Sequence, residues 1–207
     1  MNPYKALAGV GGIGTAVGGG VLLSKSSIFE DKPTIPKTTI RDRLQRSGYS
    51  LNISEENWNT ILQEHNKSDR AANIKFSTEN LNVSTLKARC SEYLDGEDDN
   101  SRYDIAKRWC VEPRKISDFL SSSGLTSLVT NDESAKDKWV KLEEEYRKNQ
   151  KEKIVGLELQ AQKDDNSWKA LKDKCGTFLN LKPWENDYEV AMKDTKLWCV
   201  DNVVPTQ

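Results

Sequence analysis

The sequence predicts an all-α protein made of two tandem, divergent helical repeats behind an N-terminal apolar helix. Three observations carry that expectation. First, the stretch Leu86 to Leu94, LKARCSEYL, followed by Tyr103 to Glu112, YDIAKRWCVE, returns as Leu171 to Leu179, LKDKCGTFL, and Tyr188 to Asp201, YEVAMKDTKLWCVD. Second, the apolar positions of these blocks recur at intervals of three and four, the period of one helix face. Third, no stretch alternates apolar and polar residues long enough to read as a strand ladder.

The recurrence extends in both directions. Ile40-x-Asp42-x-Leu44-x-x-Ser47-Gly48 returns as Ile116-x-Asp118-x-Leu120-x-x-Ser123-Gly124, and Trp58 with Ile61 returns as Trp139 with Leu142. The offset grows from 76 residues at Gly48 and Gly124 to 89 at Cys110 and Cys199, so insertions fall between blocks. Fixed-order self-similarity is the signature of a duplicated structural unit. The expected division is therefore an anchor or signal segment at 1–26, a linker at 27–37, repeat one at 38–113 and repeat two at 114–207.

Composition bounds what these units can be. Charged residues make up 30% and hydrophobic ones 36%, with a mean hydropathy of -0.74, so the cores must draw on large aromatic side chains. The net charge is -1; Lys5 and Lys25 lie in the leader, leaving -3 for residues 27–207. That balance excludes the basic footprint of a nucleic-acid binder.

Residues 6–23, ALAGVGGIGTAVGGGVLL, hold no charge over eighteen positions, long enough for a membrane span. A cleaved signal segment or a flexible tail is the alternative reading. Gly9 to Gly14 match the dinucleotide fingerprint G-x-G-x-x-G, but the required strand before and βαβ context after are missing. Pro33 and Pro36 make residues 24–38 a semi-extended linker.

Within repeat one, Ile40 and Leu44 share a helix face and Gly48 stops that helix. Ser54 starts the next, with Trp58, Ile61, Leu62 and His65 at helical spacing. Leu86, Cys90 and Leu94 line one face of a third helix, and Ser101 is the expected cap of a fourth carrying Tyr103, Ala106 and Cys110. Pro113 closes the unit. Repeat two follows with Ile116, Leu120 and Gly124, then Trp139, Leu142 and Tyr146. The acid and lysine run Lys136 to Lys153 reads as a solvated helix face.

Candidate chemistry is sparse. Cys90 with Cys110, and Cys175 with Cys199, are disulfide candidates, because equivalent helices would bring them together; buried free thiols are the alternative, and four cysteines allow three connectivities. Close Cys-x2–4-Cys pairs, which structural zinc needs, are absent. His65 has no counterpart in repeat two and no positioned partner, so it reads as a packing residue, not a ligand or general base. Trp109 and Trp198 belong to the recurring blocks and read as core. Trp168 and Trp184 lack counterparts and are the candidate partner contacts. The sequence offers no catalytic, cofactor-binding or metal-binding constellation.

The opening MNPYKALAGVGGIGTAVGGG, together with the Ile-x-Asp-x-Leu, Leu-Lys-x-x-Cys and Arg-Trp-Cys-Val blocks, resembles the paralogous hypothetical proteins of haemotropic mycoplasmas, a Trp-Cys repeat family. The resemblance implies membrane association, display to a host surface protein, and antigenic variation; it carries over no catalytic residue. Lys25, Lys32 and Lys37 after the apolar segment, against Lys5 before it, favour a cytoplasmic body by the positive-inside rule. Paired cysteines and the resemblance favour the outside. The expectation is an anchored, non-enzymatic protein acting outside the cell in adhesion or as a variable antigen, with a cytoplasm-facing membrane-tethered scaffold as the alternative and a nucleotide-binding enzyme through Gly9 to Gly14 as the third reading.

Overall fold

A computed structural model describes residues 38–149 and 152–205. The apolar segment 6–23, the glycine motif Gly9 to Gly14 and the linker 27–37 lie outside the described residues. Among the described residues there are eight α-helices and no strand. They are α1 (Ile40–Arg46), α2 (Glu55–Asn66), α3 (Val83–Leu94), α4 (Asn100–Trp109), α5 (Ile116–Ser122), α6 (Lys136–Lys148), α7 (Trp168–Leu179) and α8 (Tyr188–Trp198). None of the described helices is long and apolar enough to cross a membrane.

Local chemistry sets the helix ends. Thr39 and Asp42 form a reciprocal capping box at α1, and the Ser54 and Asn82 side chains accept the free N–H groups opening α2 and α3. At α4 the cap is Asp99, which accepts from the Arg102 N–H. Ser101, the expected cap, instead donates to the Asp99 carboxylate at 2.6 Å. A carboxylate two residues earlier is the stronger acceptor for the positive helix end, and it displaces the serine. Gly48 and Gly124 follow α1 and α5 at φ 85° and 79°, the left-handed conformation that ends a helix at low cost only in glycine.

Two hydrophobic cores result. One gathers Ile40, Leu44, Ile61, Leu86, Cys90 and Trp109 from α1 to α4; the other gathers Ile116, Leu120, Trp139, Leu142, Tyr146 and Leu171 from α5 to α8. Beside each core a backbone bond of equal length ties the chain back, and the α5–α8 half adds a second, from the Leu128 N–H to the Cys199 carbonyl at 2.9 Å. The Glu112 N–H donates to the Ser50 carbonyl at 2.8 Å, and the Asp201 N–H donates to the Thr126 carbonyl at 2.8 Å. The first residue of α1 reaches the α3–α4 connection through the Gly96 carbonyl, and the first residue of α5 reaches the α7–α8 connection through the Leu181 carbonyl.

The cores are interlocked. Trp184, from the connection between α7 and α8, is buried in the α1–α4 core, and Tyr49 packs against both cores with its ring 4.8 Å from Phe119. Arg108 of α4 donates to the Glu185 carbonyl at 3.1 Å, and Lys107 pairs with Glu189 of α8 at 2.8 Å. Burial raises the pKa of the Tyr49 and Tyr188 phenols well above the usual tyrosine value. The seam thus combines an aromatic plug with charged groups at its rim.

Removing the plug should cost about 3–5 kcal/mol, the range for truncating a buried tryptophan. Trp184→Ala is therefore expected to lower the urea midpoint of the oxidised chain by that equivalent, with the α1–α4 half opening first. A midpoint within error of the parent would mean that Trp184 does not hold the two cores together.

Candidate functional site

The cysteines pair within each half. Cys90 and Cys110 join α3 to the end of α4 with sulfurs 2.12 Å apart, and Cys175 and Cys199 join α7 to the end of α8 at 2.06 Å. No cysteine is free, and all four lie in the cores. Apolar i, i+4 spacing put each first cysteine on the inner face of its helix, and the following hairpin returned the second to meet it. Among the described residues, no group of His, Cys, Asp or Glu could hold a metal ion.

Trp168 and Trp184 are not placed for an external partner. They are 2% and 5% exposed. Trp168 donates its indole N–H to the Asp165 carbonyl at 3.0 Å and packs at the start of α7, while Trp184 fills the seam. Large indoles bury where a core can accept them, and here the partner of Trp184 is the other half of the same chain.

His65 is fully buried. Its Nε2 accepts the Phe76 N–H at 3.2 Å, and its ring meets Trp109 edge-on at 5.0 Å. The imidazole thereby ties the connection between α2 and α3 to the core. Burial holds its pKa below the ordinary 6.5.

The charged run on α6 conceals the most unusual group. Glu143 is fully buried, one turn after Trp139 and three residues before Tyr146, so it lies on the apolar face that those aromatics define. The expectation of a wholly solvated face fails there. Arg147, one turn on, pairs with the Glu143 carboxylate and donates from Nη1 to the Gln160 carbonyl at 2.8 Å. The second Glu143 oxygen and the Arg147 Nη2 are buried without a hydrogen-bond partner, and Lys163 Nζ stands 3.9 Å from that oxygen.

Beyond α6, side chains of two helices hold the segment 152–157. The Tyr146 hydroxyl accepts the Ile154 N–H at 3.0 Å and donates to the Leu157 carbonyl at 3.2 Å. Asp194 accepts the Val155 N–H at 3.1 Å, and the Trp198 indole donates to the Glu152 carbonyl at 2.9 Å. Lys153 folds back to donate to the Tyr146 carbonyl, its ammonium 4.2 Å from the centre of the Tyr146 ring. Burial, then the Arg147 charge, lower its pKa below the usual lysine value.

These residues frame a cleft of about 450 Å³ lined by Tyr146, Arg147, Lys153, Leu157, Glu158 and Leu159. Its volume falls in the range of small-ligand sites. It presents two cations, a tyrosine, one exposed carboxylate and two leucines. A second cleft of about 280 Å³ shares Glu158 and Leu159 with it. Of these residues, sequence reasoning singled out Tyr146 alone. The i, i+4 relation of Glu143 to both Trp139 and Arg147 was the available signal.

No protein-family profile, curated protein or solved structure matches the chain.

Two outcomes follow from this chemistry. The unfolded chain binds a proton on His65 that the folded chain resists, so its contribution to stability is complete above pH 6.5 and is lost as the pH falls from 6.5 toward the lowered folded value. Urea midpoints at about pH 7.5 and about pH 5 should therefore converge in His65→Gln relative to the parent, since that change removes the titrating ring; an unaltered difference would assign the acid sensitivity elsewhere. Arg147→Met should cost about 2–3 kcal/mol by stranding Glu143, less than for a fully buried pair because Arg147 reaches solvent, and Glu143→Gln added to it should restore part of the loss in a double-mutant cycle.

Proposed function

We propose that this chain is a membrane-anchored, surface-exposed, non-enzymatic protein built from two copies of one helical module, acting outside the cell in host adhesion or as a variable antigen. The single observation that carries the outward orientation is the pair of buried disulfides, one in each half, since such bonds form and persist in oxidising compartments. The eighteen uncharged positions at 6–23 support the anchor. The recurring sequence blocks and the matched bonds of Glu112 to Ser50 and Asp201 to Thr126 support descent from one module.

The resemblance to the haemotropic mycoplasma family points the same way. In this reading the outward helix faces, rich in charge, are free to vary while the paired cysteines and core aromatics keep the scaffold. A cytoplasm-facing scaffold is the second reading, favoured by Lys25, Lys32 and Lys37 following the apolar segment.

Protease shaving of intact cells separates the two. The body should be digested without lysis, and peptides mapped under non-reducing conditions should carry Cys90 linked to Cys110 and Cys175 linked to Cys199. A body that resists until the cells are lysed, with four alkylatable thiols, would establish the cytoplasmic reading.

A further inference from the structure

We propose that the cleft beside the end of α6 binds the carboxylate of a short apolar acid, through Lys153 and Arg147, with its chain on Leu157 and Leu159. The reading does not depend on which side of a membrane the body occupies.

The charge arrangement selects the anion. Arg147 is neutralised in part by Glu143, and among the described residues Lys153 contacts the Tyr146 ring and carbonyl and carries no carboxylate partner. The lining carries one positive charge in excess, Arg147 and Lys153 against the exposed Glu158, while Glu143 lies buried behind Arg147 with Lys163 beside it, and that excess fits a monoanion. A dianion such as a phosphate monoester would meet Glu143 below and Glu158 at the rim. The Arg147 Nη2 already lacks an acceptor, and a carboxylate oxygen seated between the two cations supplies one.

The walls select the rest of the ligand. Leu157 and Leu159 are half-buried beside exposed Glu158 and Gln160, and both line the cleft while packing against the α5–α8 core. That segment is fixed at both ends, by the Tyr146 hydroxyl at Leu157 and by Arg147 at Gln160, which gives the cleft a preformed wall. Lys153 is the adjustable wall. The residue is exposed overall and is held by its ammonium, on the Tyr146 carbonyl and ring, so a swing of that group opens the path to Arg147. Uptake of the anion would also relieve the repulsion between the two cations, which contributes to the lowered Lys153 pKa.

Isothermal titration of the oxidised chain, residues 1–207 in nonionic detergent, with sodium hexanoate and with hexanol tests the proposal. Saturable binding of hexanoate but not hexanol is expected, weakened about tenfold by Lys153→Met and retained by Lys153→Arg. Leu159→Asp, which places a carboxylate on the wall, should abolish binding with the near-UV circular dichroism unchanged. A pentapeptide ending in leucine, with a free or an amidated terminus, identifies the source. Tighter binding of the free-acid peptide than of hexanoate assigns the site to a chain terminus, and the reverse assigns it to a free acid. Equal binding of hexanol, equal binding of the amidated peptide, an undiminished affinity in folded Lys153→Met, or no binding of either acid at about 10 mM would overturn the proposal.

Discussion

In each half, a disulfide fixes the residue after the last helix of a hairpin against the middle of the helix before it. The constraint matters because the chain is so polar that neither half can assemble a large core. By the chain-entropy account, closing loops of 20 and 24 residues removes about 3 kcal/mol each from the unfolded state, comparable to burying another large apolar side chain. With the hairpins clamped, α1 and α2, and likewise α5 and α6, pack onto a surface that is already ordered. The helix caps and left-handed glycines then have a fixed frame to connect. Most of the fold follows from that clamp together with the aromatic plug at the seam.

The paired cysteines, the core positions and the glycine stops were legible because each rests on local periodicity, which the chain repeats. Trp184 was misread for an instructive reason. The lack of a counterpart in the recurring sequence blocks says nothing about whether a residue points outward. Here the difference is that one half lends a side chain to the other, a relation between units that no single-unit pattern contains. Glu143 was hidden in the opposite way, inside a run of charges whose average polarity resembles a solvated face. Only its register relative to Trp139 and Tyr146 places it inside, and register yields to composition when a run is read as a whole. The cap of α4 shows the same limit at smaller scale, since Asp99 and Ser101 are both competent caps and tertiary context chose between them.

The segment after α6 shows how a polar chain makes an internal wall without a sheet. Its backbone groups are taken up one at a time by Tyr146, Arg147, Asp194 and Trp198, each projecting from a helix that a disulfide or a core aromatic already holds. Such a wall has the precision of the scaffold and the chemistry of a loop. This is where recognition is usually built.

The position of Trp184 also has a temporal meaning. A chain made from its N-terminus exposes all of α1 to α4 well before residue 184 is added, an interval on the order of ten seconds at ordinary rates of synthesis. Throughout that interval the first four helices lack the indole that completes their interior. The interior of the first four helices is therefore completed only when the connection between α7 and α8 has been made.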